Sequence, residues 1–188
     1  MPPARCSRAR DAPFPAPPPH RVIEFQPLRR DDLQLVRAWL ARDHVRRWWR
    51  DPIDEAIAKR LDGIEGDRTE QYLIVVDGSP IGMIQTYLVA DSPEWEQIVG
   101  AEPGLAGVDL LIGDEEATGR GLGPQLLEAF VREIVFARAG TNACVATVEE
   151  ANRRSWRAFE KAGFRHVRDV VEDGLPHRLM RLDRRYAP

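Results

Sequence analysis

The segment from Gly107 to Gly123 constrains the fold of this chain more than any other stretch. A short apolar strand, Val108 to Ile112, leads through an acidic turn into the loop Gly119-Arg120-Gly121-Leu122-Gly123, and Pro124 follows at the predicted first position of a helix. Glycines allow a sharp turn that gathers backbone N–H groups, and Pro124 lacks only an N–H that a helix start leaves unpaired. Such groups at the positive end of a helix dipole favour a phosphate. The segment therefore predicts a strand–loop–helix unit with a pyrophosphate cradle, and the alternative is a plain tight turn.

Two common phosphate-binding loops do not match this segment. A P-loop ends in Gly-Lys-Ser or Gly-Lys-Thr, whereas this loop ends in Leu122-Gly123-Pro124. A dinucleotide-binding fingerprint has the spacing G-x-G-x-x-G, whereas the spacing here is G-x-G-x-G and the strand before it lies in mid-chain. The sequence therefore predicts a phosphate cradle of another kind.

The length of 188 residues is sufficient for one domain with a substantial core. Residues 1–20 contain seven prolines and little that could pack, so we expect a disordered extension there and a folded domain over residues 21–188. No apolar run has the length of a membrane span, and the N-terminus has no apolar signal core. The two cysteines, Cys6 and Cys144, do not suggest a disulfide, so we expect a cytoplasmic protein without a membrane partner.

The acidic residues are concentrated in one part of the chain. Residues 69–119 contain ten acidic residues and no lysine or arginine, although the whole chain has 27 basic residues and a net charge of −3. This acidic window predicts a cleft wall that attracts a cationic ligand, and the alternative is a solvated acidic surface. Nucleic acid is not an expected partner, because phosphates bind to basic faces.

The hydrophobic periodicity predicts an α/β domain with a mixed sheet and the order β-α-α-β-β-β-α-β-α-β-β. Asp77-Gly78 and Asp173-Gly174 are typical hairpin turns. Asn152 is typical of a helix N-cap, and Gly163 ends that helix. Residues 91–104 show no regular period and are predicted to form a long loop.

Two further helices are predicted near the N-terminus. Asp31 or Asp32 caps the first of them. Pro52 starts the second, and its apolar spacing places Ile53, Ile57 and Leu61 inward.

The order of these elements and several motifs resemble the GNAT acetyltransferase superfamily, and within it the aminoglycoside 6′-N-acetyltransferases, over about residues 22–185. The glycine loop and the segment from Asn152 to Phe164 are similar to the superfamily motifs. The histidine–double-tryptophan signature of the aminoglycoside group resembles the segment His44 to Trp49, and its Gly-Ile-Asp strand resembles Gly107-Val108-Asp109. The motifs are individually short, and their order and spacing carry the resemblance.

The resemblance implies a mixed, mostly antiparallel sheet flanked by helices. It implies direct acetyl transfer from acetyl-CoA to the 6′-amino group of an aminoglycoside, a small polycation, with antibiotic resistance as the result. No metal is expected, because His44, His166 and His177 have no metal-ligand spacing. The oligomeric state, monomer or dimer, stays open.

The resemblance also implies roles for individual residues. Asp109 would be the general base, because an ammonium must lose a proton before it can attack, and a backbone N–H near Leu111 would polarise the thioester carbonyl. The residues implied for cofactor binding are Leu111, Ile112, Thr118, Gly119, Arg120, Gly121, Leu122, Gly123, Pro124, Asn152, Ser155, Phe159 and Lys161. Those implied for substrate binding are Trp49, Gln85, Asp91, Trp95, Asp109, Glu149 and Asp173.

Some residues depart from the family pattern. Thr118 stands where the superfamily loop has Gln or Arg, and the segment around Glu149 is one residue shorter than usual. Phe159 stands where a tyrosine is often proposed to protonate the leaving thiolate, so the general acid stays unassigned.

Two other functions remain open at the level of sequence. Lysine-type N-acyltransferases of siderophore biosynthesis share the Leu110-Leu111-Ile112-Gly113 segment but typically carry His at position 109. A non-catalytic protein that keeps the fold as a ligand sensor is the third candidate, and Asp109 argues against it.

Overall fold

The computed structural model describes residues 21–66 and 68–187, so the extension predicted for residues 1–20 lies outside the described residues. One sheet has the strand order β1-β2-β3-β4-β5-β7-β6. Its strands are β1 (Ile23–Pro27), β2 (Thr69–Val76), β3 (Ser79–Leu88), β4 (Leu105–Ile112), β5 (Ala143–Glu149), β6 (Arg165–Glu172) and β7 (Leu175–Asp183). The helices are α1 (Leu33–Leu40), α2 (Asp43–Arg46), α3 (Ile53–Glu65), α4 (Pro93–Val99), α5 (Leu122–Phe130) and α6 (Arg153–Lys161).

The predicted mixed, mostly antiparallel sheet is confirmed. Neighbouring strands run antiparallel except β4 and β5, which are parallel. Both predicted hairpin turns form, and the two residues of each have positive φ: 51° and 80° at Asp77-Gly78, and 51° and 75° at Asp173-Gly174. Positive φ at both central residues matches the twist of the flanking strands, which is why Asp-Gly is favoured there. Among the helices of the described residues, none combines the length and hydropathy of a membrane span.

The prediction of a structureless loop over residues 91–104 was wrong. Helix α4 lies there, with Pro93 at its start and Trp95 and Val99 buried four residues apart. The short helix α2 (Asp43–Arg46), which overlaps the start of the His44 to Trp49 segment, was also missed. Elements of one or two turns offer too few residues for a period to be recognised.

Two helix starts also differ from prediction. Asp32 does precede α1, but its carboxylate accepts a hydrogen bond from the backbone N–H of Arg29 at 2.8 Å instead of capping the helix. Helix α5 begins at Leu122, so Pro124 is its third residue and not its first. The N–H that Pro124 lacks is still one that the first turn leaves unpaired.

Each face of the sheet is covered by helices. On one face, α5 and α6 pack through residues such as Leu126, Phe130 and Phe159. On the opposite face, α1 and α3 cover β2 to β4 in the cluster of Trp39, Met83 and Leu111, and α4 covers β5, β6 and β7 around Trp95. Gln85 and Asp109 share the face of Met83 and Leu111, because side chains alternate along strands, and they lie between the two sets of helices.

Gly113 allows α1 to approach the end of β4. A Cβ at this position would lie 2.0 Å from Trp39 Cγ, and Trp39 is among the largest fully buried side chains. We expect Gly113→Ala to lower the free energy of unfolding by about 1–3 kcal/mol, the usual cost of overpacking, in urea denaturation. In a Trp39→Leu background, which makes space for the methyl group, Gly113→Ala should cost much less. Equal costs in the two backgrounds would contradict this contact.

Candidate active site

The central strand β4 separates early from its neighbour β5. Their pairing covers only Leu105–Gly107 opposite Ala143–Val145, although both strands continue beyond it. On the β3 side of β4, the Gly113 N–H donates a hydrogen bond to Ile81 O at 2.9 Å. This bond shows which residues of β4 direct their backbone N–H and C=O groups toward β3. Odd-numbered residues of β4 therefore direct their backbone groups toward β3, and Leu110 directs its own toward β5, beyond the last pair. The end of β4 thus presents backbone hydrogen-bonding groups with which none of the described strands pairs.

The glycine loop follows β4 and leads into α5. Gly119 and Gly121 have φ of 75° and 74°, and a Cβ on either would meet no protein atom within 4 Å. Gly121 is the N-cap residue of α5. The free N–H groups of this cradle belong to residues 119–123, since Pro124 has none. The positive φ values, the open space and the helix start fit the pyrophosphate of a coenzyme.

The other residues predicted for the cofactor lie on β4, α5 and α6 or, as with Thr118 and Asn152, in the segments just before α5 and α6. Helices α5 and α6 approach closely at Gly123, where a Cβ would be 3.2 Å from that of Ala158. Asn152 caps α6 as predicted, since its Oδ1 accepts a hydrogen bond from the Ser155 N–H at 3.2 Å. Phe159 is buried against Phe164, with the ring centroids 5.0 Å apart.

These residues differ in which of their groups a cofactor could reach. The side chains of Leu111, Leu122 and Phe159 are buried in the hydrophobic clusters. Arg120 and Lys161 are exposed. Thr118 donates its hydroxyl hydrogen bond to Glu115 O at 2.8 Å. The Ile112 carbonyl lies 3.2 Å from His44 Nε2, so the histidine of the double-tryptophan signature contacts the end of β4.

Asp109 is the partly buried carboxylate at the centre of the site. Gln85 Nε2 donates a hydrogen bond to Asp109 Oδ2 at 2.8 Å across the β3–β4 pair. Burial raises the pKa of Asp109, while the hydrogen bond from Gln85, the charge of Arg60 and the Tyr87 hydroxyl oppose this rise. A carboxylate with a raised pKa is a stronger base than one in water, provided that it stays ionised.

Tyr87 acts on Asp109, and two tryptophans, Trp95 and Trp49, pack against Tyr87 and Arg60. Trp95 on α4 packs edge-on against Tyr87, with the ring centroids 5.4 Å apart, and only 9% of Trp95 is exposed. The Arg60 guanidinium lies over the ring of Trp49, 5.3 Å from its centroid. Gly107 permits the approach of the first pair, because a Cβ there would be 2.6 Å from Tyr87 and 2.9 Å from Trp95. Trp95 therefore packs as a core residue, and its contact with a substrate stays a prediction.

The acidic window is only partly available to a ligand. Three of its members form ion pairs with arginines from other segments: Glu70 with Arg138, Glu102 with Arg181 and Asp114 with Arg42. The interpretation of the whole window as one cationic binding wall was therefore too broad. Asp91 is exposed beside α4.

The remaining two predicted acids lie at the ends of β5 and β6. Asp173 is exposed in the β6–β7 turn. Glu149, with a side chain 14% exposed, forms an ion pair with Arg50 at 2.8 Å. The carboxylate that was predicted to bind a substrate cation thus binds a guanidinium of the chain itself.

Three residues that the sequence analysis missed belong to this site. Tyr87 lies two positions after Gln85 on β3 and so shares its face, a period that could have indicated it. Arg60 takes the inward position on α3 that was predicted for Leu61. Arg60 has the helical spacing of Ile53, Ile57 and Ile64, and a charged residue among these apolar positions could have indicated its inward orientation. No local signal indicates the pairing of Arg50 with Glu149.

The chain is similar to known acetyltransferases. Residues 29–171 match the family described as "Acetyltransferase (GNAT) domain". Aminoglycoside N(6′)-acetyltransferase type 1 of Klebsiella pneumoniae is 30% identical over an alignment of 153 residues, and the match covers 77% of this chain and 75% of that protein.

Solved structures show the same fold. The crystal structure of aminoglycoside acetyltransferase AAC(6′)-Ib in complex with coenzyme A and kanamycin has a TM-score of 0.79 and 27% identity, over 88% of this chain and 96% of that one. The spermidine N-acetyltransferase of Vibrio cholerae, with a TM-score of 0.69 and 13% identity over 88% of this chain and 97% of that one, shares the fold alone. This chain belongs to the GNAT acetyltransferase family.

Proposed function

We propose that this protein transfers the acetyl group of acetyl-CoA directly to the 6′-amino group of aminoglycoside antibiotics and thereby confers resistance. The observation that carries the proposal is the position of the Asp109 carboxylate. Asp109 lies on β4, just after that strand separates from β5, and accepts a hydrogen bond from Gln85 on β3. The relatives named above support the substrate class. Asp109, in place of the histidine that lysine-type N-acyltransferases typically carry, favours the aminoglycoside over the siderophore substrate.

Asp109 takes the proton from the substrate ammonium and leaves a neutral amine. Gln85 fixes one carboxylate oxygen of Asp109, and Tyr87 stabilises its ionised form. The neutral amine would attack the thioester carbonyl carbon of bound acetyl-CoA. As the N–C bond forms, the C–S bond would break and release the CoA thiolate, which would take a proton from water. The chain offers Asp109 as its base, and it offers no tyrosine at position 159 as a general acid.

The backbone does most of the cofactor binding in this proposal. The N–H groups of residues 119–123 and the start of α5 hold the pyrophosphate, and Arg120, Asn152, Ser155 and Lys161 surround the rest of the cofactor. The strand register directs the Leu111 N–H toward β3. We therefore assign the role of polarising the thioester carbonyl to the N–H of Leu110 instead of Leu111. The Leu110 N–H faces the side of β4 from which β5 has separated.

Outer acids bind the other ammonium groups of the substrate. Asp91, Glu149 and Asp173 lie around the end of the sheet, while Trp49 offers an apolar wall for a sugar ring. Long-range attraction then steers a polycation toward the site. The proposal places the enzyme in the cytoplasm, where acetyl-CoA is available, and includes neither nucleic acid nor a membrane as a partner.

A CoA-release assay with purified protein tests the proposal directly. The panel combines aminoglycosides that carry a 6′-amine with analogues that lack it. Release with the first set alone supports the proposal. The absence of release with every 6′-amino compound would contradict it, and release with a lysine-type amine instead would favour the siderophore pathway.

Asp109→Asn tests the general base. The amide keeps the shape of Asp109 but cannot take a proton at neutral pH, so we expect kcat to fall by about 10²–10⁴-fold. Affinity for acetyl-CoA, measured by calorimetry, should be unchanged and is the control. Because burial raises the pKa of Asp109, the acid limb of the wild-type kcat/KM profile should lie above the ordinary range of aspartate. Wild-type kcat in Asp109→Asn would exclude this role.

Gly121→Val tests the cradle. A side chain at Gly121 would occupy the space that the pyrophosphate needs, so acetyl-CoA should bind at least about tenfold more weakly, a loss of about 1.4 kcal/mol. Gly140→Val is the matched control, because Gly140 also has positive φ (82°) and open space around its Cβ but lies before β5, at the other end of that strand. Equal cofactor affinity in the two variants would remove the loop from the binding site.

Arg50→Gln tests whether the internal ion pair competes with the substrate. Removing the guanidinium frees Glu149, so KM for a polycationic aminoglycoside should fall by up to about fivefold, because partly exposed ion pairs contribute about 0.2–1 kcal/mol. Glu149→Gln should raise KM more than it lowers kcat. Lys59→Gln is the control, because it removes the same charge from an exposed pair with Asp51. A KM that rises in Arg50→Gln would contradict the competition.

A further inference from the structure

Arg60 is a buried cation that the proposed reaction leaves without a role. It lies on the inward side of α3, and only 5% of its surface is exposed. A guanidinium stays protonated in proteins, and burying a charge is costly unless a partner compensates for it. The position therefore requires an explanation beyond packing.

The protein compensates the Arg60 charge without direct hydrogen bonds. Within residues 21–66 and 68–187, the Arg60 side chain donates no hydrogen bond to another group, and its Nε is fully buried without a partner. The guanidinium lies over the Trp49 ring at 5.3 Å. This cation–π contact compensates part of the buried Arg60 charge. We expect a buried anion nearby to compensate the rest.

A row of polar residues crosses the sheet from Gln71, which contacts the backbone of Arg60, to Asp109. Gln71, Gln85 and Asp109 stand opposite one another on β2, β3 and β4. Gln71 Nε2 donates a hydrogen bond to the Arg60 carbonyl at 2.9 Å, which fixes α3 over one end of the row. Gln85 bonds Asp109 at the other end. Gln71 and Asp109, the two ends of the row within the sheet, are two strand spacings apart, about 10 Å.

Within the described part of the chain, two polar atoms of this row lack a hydrogen-bond partner. Gln71 Oε1 and Gln85 Oε1 are buried and have no hydrogen-bond partner in the described residues. Both oxygens are acceptors, so neither stabilises the Asp109 carboxylate, which accepts a hydrogen bond from the amide nitrogen of Gln85 and is also stabilised by the Tyr87 hydroxyl. Arg60 adds the positive charge that the row itself lacks.

Arg60 is the one cation among the charged and titratable groups of the described residues that influence Asp109 or are influenced by it. These groups are Arg60 on α3, Tyr87 on β3, Cys144 on β5 and Glu172 on β6, with Asp51 acting on Arg60 itself. Burial raises the pKa of Asp109 and lowers the pKa of Arg60, and the charge of each residue opposes the shift of the other. The two charges therefore stabilise each other.

We propose that Arg60 is a positioning residue whose buried charge keeps Asp109 ionised, and so able to accept a proton, inside a desolvated site. The inference rests on the proposed function only for the role of Asp109 as the base. It also explains why the outer acids are needed, since the pair of Arg60 and Asp109 offers a cationic substrate little net attraction.

The direct test is a titration of the Asp109 carboxyl in the free enzyme by NMR with ¹³C-labelled aspartate. The Asp109→Asn spectrum identifies the signal. In Arg60→Met the midpoint should move to higher pH, because the neutral form of Asp109 is then favoured. Arg60→Lys, which keeps a charge, should move it less. The control is Lys59→Met, which removes a charge from the exposed side of the same helix and should leave the midpoint unchanged.

The kinetic counterpart is the pH profile of kcat/KM with an accepted amine. In Arg60→Met, kcat/KM at pH 6 should fall by at least about tenfold and recover as the pH rises. A lower melting temperature with an unchanged NMR midpoint and an unchanged acid limb would show a structural role and overturn the inference. A shifted midpoint in a protein that acetylates no aminoglycoside would leave the inference standing and contradict the proposed function instead.

Discussion

The early end of pairing between β4 and β5 is the constraint on which the site depends. It places unpaired backbone groups of β4, the Asp109 side chain and the glycine loop within one short segment of chain. The antiparallel pairing with β3 holds β4 on its other edge, so the strand stays ordered although one side is open. Catalysis by positioning requires this combination of a rigid strand and exposed backbone donors.

Electrostatic balance is the second feature of the site. Two carboxylates predicted for substrate binding are balanced by arginines of the chain: Glu149 forms an ion pair with Arg50, and the charge of Arg60 acts on Asp109. The two pairs differ in exposure. Arg50 is half-exposed, whereas Arg60 is buried. We therefore propose that the outer pair affects substrate binding and that the charge of Arg60 affects proton transfer.

The sequence predicted the features that depend on local chemistry. Asp77-Gly78 and Asp173-Gly174 formed their turns, and Asn152 capped α6, because the residues that decide these structures are adjacent in the chain. The inward position of Arg60 and the pairing of Arg50 with Glu149 join residues distant in sequence, so tertiary packing decided them. Helix α4 was missed because two buried residues are too few to show a period.

The position of the acetyl group in the product tests the central claim most directly. Purified protein is incubated with acetyl-CoA and an aminoglycoside that carries amines at several positions, and the product is analysed by two-dimensional NMR. A single acetyl group on the 6′-nitrogen, together with no product from the matched 6′-hydroxyl compound, is the predicted result. Acetylation at another nitrogen, or of the 6′-hydroxyl compound, would contradict the account.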